Sequence, residues 1–342
     1  MNITETVKSL TRMPGISGFE NEFAQQVCDR LKEYCIDARI TKTNCVIGMI
    51  ESKKEGAPTI MLEAHLDRIG LIVSSIDENG FVGFRTLGGV DERILPAAEV
   101  EILGEEKIFG VIGAKPPHLM KKNEEDEGLK IEDMLIDTGL GSEAVSKISV
   151  GDPVLLVSNF SELMNNRVSS AALDNRLGMA VIFDCLDKIK DREIPYNLCI
   201  VFASGEEQGL LGAYTVATET ECDFAVVVDV TYGETPDAKG CETFPLGCGV
   251  TICRGPNVDF EKTKRIIEIA KEKGIPYEIE VASGSTGTNA WALQTLGRGI
   301  PCAVISVPIR YMHTAVETAD ICDAENAARL IAEIVSGGEI LA

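Results

Sequence analysis

The sequence predicts a mixed α/β fold, in which a largely parallel sheet lies between helices and a small β-barrel-like domain is inserted into the chain. Strand-like and helix-like segments alternate from residue 198 to residue 335, as in a parallel or mixed sheet covered by helices on both faces. Residues 71–160 instead contain short β-type runs separated by turn signals, with little helical periodicity. The chain has 342 residues, 45% of them hydrophobic, which is enough for a sizeable core. We therefore expect a host domain of residues 1–70 and 161–342 and an inserted β-rich domain of residues 71–160.

Charge and cysteine content limit the classes of partner and compartment. The chain has 54 acidic and 32 basic residues and a formal net charge of −22, so it would repel nucleic acid and anionic membranes. Eleven cysteines are an odd number, and without a CxxC pair they predict reduced thiols. The N-terminal residues lack a basic stretch followed by an apolar one, and no apolar run reaches roughly 18 residues. These patterns predict a cytoplasmic protein.

The first 70 residues predict two helices and then strands. Apolar positions in residues 2–36 recur at helical spacing on both sides of a turn at residues 13–18, and residues 40–50 follow a strand-like pattern. The next apolar strand, from residue 59, ends in His65 and Asp67. Because these two residues are two apart on an extended chain, their side chains can share one side of it. One of them can bind a metal ion while the other orients it.

After the predicted insert, acidic residues and a histidine again follow apolar segments. Asp174 precedes a helical stretch at residues 179–189 and lies near its start. The adjacent Glu206 and Glu207 follow an apolar strand, Asp229 follows another, and His313 follows a third. The predicted strands are 198–203, 224–228, 248–253, 276–281 and 302–307, and the predicted helices are near 209–218, 259–273, 289–298 and 323–335.

The recurrence of these residues at strand ends predicts a metal site. Adjacent carboxylates in a partly desolvated pocket repel, so one of them must carry a proton or a cation must lie between them. In open α/β sheets the carboxyl ends of the strands form the ligand crevice, which could bring distant residues together. A single Asp or His at a strand end is more often a cap or a loop hydrogen-bonding residue. Together, two histidines and several carboxylates suit zinc, cobalt or manganese.

Five sequence blocks resemble one known family. They are AHLDRIG at 64–70, ALDNR at 172–176, GEEQG at 205–209, VDVT at 228–231 and PIRYMHTAVE at 308–317. In this order they resemble the dinuclear-metal aminopeptidases of the tetrahedral (TET) type, which include glutamyl aminopeptidases and proteins once named endoglucanases. GVIGAKPPH at 110–118 is similar to part of that family's inserted domain. The resemblance implies a zinc-exopeptidase-like host fold.

The resemblance also implies a set of metal ligands. Asp174 would bridge two divalent ions, with zinc or cobalt favoured over manganese. His65 and Asp229 would complete the site of one ion, and Glu207 and His313 would complete the site of the other. Two-metal sites of this kind need a bridging carboxylate between ions about 3.5–4 Å apart.

Two further carboxylates receive roles from the resemblance. Glu206 would be the general base for the attacking water and then the acid for the leaving amine. Asp67 would hold His65 in its metal-binding tautomer. The substrates would be peptides with a free N-terminal amine, and the protein would be a homo-oligomer, with a tetrahedral dodecamer as the family's common form.

Two positions depart from the family pattern. Arg68 stands where the family often has an acidic residue, and Asn289 stands where the family often has the aspartate of Gly-Gly-Thr-Asp-Ala. Neither change removes a predicted ligand. Both leave the preferred N-terminal residue of the substrate open, because a charge near the site favours some side chains over others.

Three alternative functions stay open at this point. A deacylase or amidohydrolase acting on N-acyl amino acids would use the same metal ions without needing a free amine. A glycosidase needs carboxyl groups on opposite sides of a sugar, which adjacent Glu206 and Glu207 fit poorly, and only 5% of the residues are aromatic. A non-catalytic assembly protein would have to keep unused buried carboxylates at an energetic cost.

Overall fold

The computed structural model describes residues 2–35, 37–119, 130–238, 240–337 and 340–341. Within these residues the α-helices are α1 (Ile3–Thr11), α2 (Asn21–Leu31), α3 (Ala144–Lys147), α4 (Leu173–Ile189), α5 (Leu211–Glu219), α6 (Phe260–Glu272), α7 (Ala290–Thr295) and α8 (Ile321–Ser336). The strands are β1 (Arg39–Ile40), β2 (Val46–Ile50), β3 (Thr59–His65), β4 (Gly70–Ile76), β5 (Val82–Leu87), β6 (Glu99–Leu103), β7 (Lys107–Ile112), β8 (Ile136–Asp137), β9 (Pro153–Leu156), β10 (Ser161–Glu162), β11 (Arg167–Ser170), β12 (Asn197–Ala203), β13 (Phe224–Tyr232), β14 (Val250–Arg254), β15 (Tyr277–Val281), β16 (Cys302–Arg310) and β17 (Glu317–Asp320). Short 3₁₀ turns occur at Glu92–Ile94, Pro117–Leu119, Ile131–Asp133 and Gly141–Glu143.

The host part of the chain forms an eleven-stranded mixed sheet. Its strand order is β1-β2-β12-β3-β13-β16-β17-β11-β10, and β14 pairs with β16 and β15. The four central strands β12, β3, β13 and β16 are parallel, with Ile200 opposite Leu62, and Val226 opposite both Leu62 and Ala303. These strands are buried on both faces, so their sequences are continuous apolar runs. The predicted α/β fold class is confirmed.

Helices cover both faces of the sheet. On one face α4 and α8 pack together with α1, and Phe183 and Ile331 lie in the larger hydrophobic core. On the other face α5 and α7 enclose a smaller core that includes Val216 and Leu293. No helix in the described part of the chain combines the length and apolarity that crossing a bilayer requires.

The predicted β-rich insert is a closed barrel. Its strands follow the order β4-β5-β8-β7-β6-β9 and enclose a third core, with Leu71, Val100 and Ile136 fully buried. The barrel strands run from Gly70 to Leu156, close to the insert expected at 71–160. The division into a host of residues 1–70 and 161–342 and an insert stays a prediction.

Sequence patterns missed the antiparallel edge of the sheet. Strands β17, β11 and β10 continue the sheet beyond β16, and Val168 lies opposite Ala319. They are two to four residues long and mostly polar, so they give too short a pattern for period-two alternation to be recognised. This edge matters for the site, because β17 begins with a buried glutamate, Glu317.

Candidate metal centre

The structure brings all seven predicted site residues to the carboxyl edge of the central strands. His65 is the last residue of β3 and lies opposite Ala203, the last residue of β12. The other six residues lie around this point: Asp67, Asp174, Glu206, Glu207, Asp229 and His313. This is the crevice that the topology of an α/β sheet provides for ligands.

Asp174 lies between the two histidines. Its Oδ1 is 2.9 Å from His65 Nε2, and its Oδ2 is 3.3 Å from His313 Nε2. Asp174 belongs to the first turn of α4, where its backbone is not helical, and its peptide bond to Asn175 is cis. The two distances show that each carboxylate oxygen faces a different imidazole nitrogen, which is the arrangement that a bridging carboxylate requires.

Three groups of side chains have ligand atoms close enough to hold a cation. Within each group these atoms lie within 4.8 Å of one another. The groups are His65 with Asp174 and Asp229, Asp174 with Glu207 and His313, and His65 with Glu206 and Glu207. The first two groups share Asp174 and match the two predicted ligand sets.

The loop after β12 positions the paired glutamates. Gly205 has a φ of +63°, a left-handed conformation that glycine adopts without strain, and the chain turns sharply there. The backbone N–H groups of Glu206 and Glu207 donate to the two carboxylate oxygens of Asp67 at 3.0 and 3.1 Å. The Oδ1 atom of Asp67 also lies 3.6 Å from His65 Nδ1. Asp67 therefore contacts both the end of β3 and the loop after β12.

Burial and neighbouring charges shift the pKa values of the carboxyl groups of this centre in different directions. Burial raises the pKa of Glu206 to about 9, that of Glu207 to about 8 and that of Asp229 to about 7, and neighbouring carboxylates add to each shift. Although burial alone would raise it, hydrogen bonds from His313 and His65 hold the pKa of Asp174 well below its ordinary value. A cation bound between these carboxyl groups would favour their ionised forms.

The donor set fits two divalent cations. It consists of imidazole nitrogens and carboxylate oxygens, the ligands typical of zinc, cobalt and manganese. The Oε1 atom of Glu207 is buried, and no hydrogen-bond partner for it exists among the described residues. A buried carboxylate oxygen without a partner is costly, and a bound cation would remove that cost.

Sequence reasoning gave no role to Glu317. The structure buries it completely and raises its pKa to about 8, first through burial and then through the nearby Asp174. Its two carboxyl oxygens accept the backbone N–H groups of Asp174 and His313 at 3.1 and 2.9 Å. Glu317 therefore fixes the backbone under two predicted ligands. The only sequence signal for Glu317 was its place at the end of the family-like block at 308–317.

The glycine pair of the barrel also went unrecognised. Gly88 and Gly89 lie in the loop after β5, and the Gly89 carbonyl oxygen is 3.0 Å from His313 Nδ1. In the sequence this glycine pair is only one of the turn signals that separate the short β-type runs. Contact between an inserted barrel and a distant histidine has no signature in sequence periodicity.

The two positions that depart from the family pattern lie beside the centre. Arg68 is 3% exposed, and its Nε atom has no hydrogen-bond partner among the described residues. Burial lowers the pKa of Arg68 to about 10, although Glu317 and Glu207 partly oppose this. Asn289, at the start of α7, donates its side-chain N–H to buried Glu63 at 2.7 Å.

Comparisons with known proteins agree with the family that the sequence blocks resemble. The family model described as M42 glutamyl aminopeptidase matches residues 44–330. The lysyl aminopeptidase of Pyrococcus furiosus is 32% identical over 95% of this chain and 94% of its own length. A TET aminopeptidase from a marine sediment Thaumarchaeota archaeon has a TM-score of 0.92 at 31% identity, covering 98% of this chain and 96% of its own. The TET1 peptidase of Pyrococcus horikoshii, which can assemble into a tetrahedron or a large octahedral shell, has a TM-score of 0.85 at 30% identity over 98% and 99%.

Proposed function

The chain belongs to the M42 glutamyl aminopeptidase family, and from this we propose that it is a two-metal aminopeptidase that removes N-terminal residues from short or unfolded peptides. The observation that carries the proposal is the position of Asp174, whose two oxygens face His65 Nε2 and His313 Nε2 at 2.9 and 3.3 Å. A carboxylate shared by two histidine-containing ligand groups is the feature that a two-metal hydrolase needs.

The proposed ligands divide into two sets that share Asp174. His65 and Asp229 would hold one divalent ion together with Asp174, and Glu207 and His313 would hold the other. Zinc or cobalt is the expected metal, followed by manganese. When bound, the ions would supply Lewis acidity toward the scissile carbonyl and lower the pKa of a water molecule.

Glu206 is the proposed general base and acid. It would take a proton from the attacking water and later give a proton to the leaving amine. Burial raises the pKa of Glu206 in the metal-free protein, and bound cations would lower it toward the range in which the carboxylate can take a proton from water. Two sets of ligands are available without Glu206, so its carboxylate is left for proton transfer.

Asp67 is the proposed positioning residue for this chemistry. Its main-chain oxygen lies 3.2 Å from His65 Nδ1, and a carbonyl oxygen can only accept, so this nitrogen carries the proton. In the neutral imidazole the lone pair is then on Nε2, which would bind an ion in place of the proton that it donates to Asp174. Through its side chain Asp67 also holds the backbone of Glu206 and Glu207, so its loss would disturb the base and one ligand together.

Substrate class can be tested with unblocked and blocked peptides. Hydrolysis of a series of aminoacyl anilides would be measured before chelation, after chelation, and after zinc, cobalt or manganese is restored. We expect cleavage that disappears on chelation, returns with metal and is absent for the N-acetylated form of the best substrate. Release of acetate from the acetylated form, at a rate equal to or higher than anilide cleavage of the unblocked form, would support a deacylase and contradict the proposal.

Assembly and compartment complete the proposal. A related TET1 peptidase assembles into a tetrahedron or an octahedral shell, which supports a homo-oligomer here, with a tetrahedral dodecamer as the proposed form. Light scattering that reports a monomer at micromolar concentration would contradict this.

All eleven cysteines are free thiols, which supports a reducing compartment such as the cytoplasm.

A further inference from the structure

The two proposed ligand sets have different surroundings. We name His65, Asp174 and Asp229 the inner set, and Asp174, Glu207 and His313 the outer set. The inner set lies within the host sheet and the start of α4, and the side chain of His65 is 2% exposed. The outer set borders the barrel, and the side chain of His313 is 30% exposed. Among the described residues, the glycines of the barrel loop after β5 lie against members of the outer set.

The contact is made by the barrel loop at residues 88–91. A Cβ atom placed on Gly89 would lie 2.7 Å from His313 Nδ1, and one placed on Gly88 would lie 3.2 Å from Glu207 Oε2. Separations this short show that the glycine backbone packs directly on both side chains. His313 and Glu207 are the two members of the outer set that the inner set does not contain.

The loop also determines which nitrogen of His313 is available. The Gly89 carbonyl oxygen lies 3.0 Å from His313 Nδ1. A carbonyl oxygen can only accept a hydrogen bond, so Nδ1 carries a proton, and in the neutral imidazole that a metal ion requires the lone pair is then on Nε2. That Nε2 atom is the one that faces Asp174 and Glu207, at 3.3 and 3.4 Å.

His65 obtains the same tautomer from its own strand end. Its Nδ1 atom lies 3.2 Å from the main-chain oxygen of Asp67, two residues further along the host chain. The histidine of the inner set is thus oriented by the host, and the histidine of the outer set is oriented by the barrel. Partners that orient a metal-binding imidazole commonly change metal affinity when they are altered.

We infer that Gly88 and Gly89 of the barrel loop position Glu207 and His313 for the second metal ion, so that the inserted barrel completes the outer set and leaves the inner set independent of it. This inference rests on the two-metal centre of the proposed function. It gives the barrel a role inside the catalytic unit, and it predicts that the two ions respond differently to changes in the loop.

The test is Gly89→Ala in the full-length chain. The φ of Gly89 lies outside the left-handed range, so alanine adds a methyl group without backbone strain, and that methyl group would displace the His313 ring. Gly113→Ala is the matched control, because among the described residues a Cβ there would meet only the Leu135 carbonyl oxygen, at 4.0 Å. Both proteins and the wild type would be freed of metal and titrated with Co²⁺, with visible absorption and bound metal per chain as readouts.

We expect the wild type and Gly113→Ala to bind two Co²⁺ ions per chain. In Gly89→Ala the first ion should bind as in the wild type, and the second should bind about 10–100-fold more weakly. Two ions with unchanged affinities in Gly89→Ala would overturn the inference and leave the two-metal function intact. Equal weakening of both ions would also overturn it, since the inner set would then depend on the loop.

A wild-type protein that binds fewer than two ions would overturn the two-metal centre and this inference with it. If Gly89→Ala does not fold, a crystal structure of the zinc-loaded wild type tests the inference instead. The inference requires His313 Nδ1 to stay within hydrogen-bond distance of the Gly89 carbonyl oxygen while Nε2 binds zinc. Zinc bound with that contact broken would contradict it.

Discussion

At the scale of single residues, the centre is defined by carboxyl groups that burial has deprived of solvation. Glu206, Glu207 and Asp229 all have raised pKa values, whereas Asp174 stays ionised because two imidazoles donate to it. The same environment that makes these acids costly without a cation makes them strong ligands with one. Their protonation and their metal binding are therefore linked, and mutation or pH should reveal this.

Replacement of Glu206 separates metal binding from catalysis. Glu206→Gln keeps the shape of the side chain but removes the proton acceptor, so we expect two ions per chain and a turnover rate lower by about 10²–10⁴-fold. Metal content and the kcat for an aminoacyl anilide measure the two effects. Glu219→Gln makes the same change at an exposed position of α5 and should leave both unaltered. Near-normal turnover in Glu206→Gln would remove Glu206 from the base role.

The pH dependence of stability of the metal-free protein has a definite sign. Folding raises the pKa of Glu206 from 4.5 to about 9 through burial, so between these values the folded chain holds a proton that the unfolded chain has lost. Stability therefore falls as pH rises through this window. The raised pKa values of Glu207 and, through its hydrogen bond to Asp174, His313 act in the same direction.

We therefore expect the melting temperature of the chelated protein to decline from about pH 5 to about pH 9, and added zinc to remove most of the decline. Thermal melts at fixed ionic strength with and without chelator provide the measurement. A melting temperature that rises over this range in chelator would be the opposite of the expected sign.

At the scale of secondary-structure elements, the pair formed by Glu63 and Asn289 connects α7 to β3. The Nδ2 group of Asn289 donates to Glu63 Oε1 at 2.7 Å, while Glu63 Oε2 and Asn289 Oδ1 are both buried with no partner in the described part of the chain. A proton on Glu63 would make Oε2 a donor, whereas the ionised carboxylate can only accept. Burial raises the pKa of Glu63 to about 8, in agreement with a protonated carboxyl group.

This connection can be tested with an amide replacement. Glu63→Gln supplies an N–H in place of the acid proton, so we expect stability equal to or greater than that of the wild type at pH 9. Glu63→Leu leaves the Asn289 N–H group buried without a partner and should cost about 1–3 kcal/mol. Denaturant unfolding of both variants measures these differences. A Glu63→Gln protein as unstable as Glu63→Leu would show that Glu63 is needed as a carboxylate.

Most elements were predictable from sequence because the host sheet has long apolar strands and amphipathic helices. The run Val226–Val228 within β13, with Asp229 just after it, is a pattern that buried parallel strands produce without help from distant residues. The edge strands β10, β11 and β17 were not predictable, because two to four polar residues carry no periodicity. Glu317 was missed for the same reason, since its role depends on the pairing of β17 with β11.

At the scale of the whole molecule, the centre is assembled from both structural parts of the chain. The host supplies every proposed ligand, and the barrel supplies the carbonyl oxygen that faces His313. Candidate ligands could be proposed from their recurrence at strand ends and from the family resemblance, but the barrel loop is 224 residues from His313 and no local pattern joins them.

The central claim is that Asp174 bridges two metal ions at the carboxyl edge of the sheet. Anomalous diffraction from crystals of the zinc-loaded protein, recorded on both sides of the zinc absorption edge, tests it most directly. We expect two peaks about 3.5–4 Å apart with one Asp174 oxygen bound to each. One peak beside His65 and Asp229 and none beside Glu207 and His313, or two peaks that Asp174 does not join, would contradict the account.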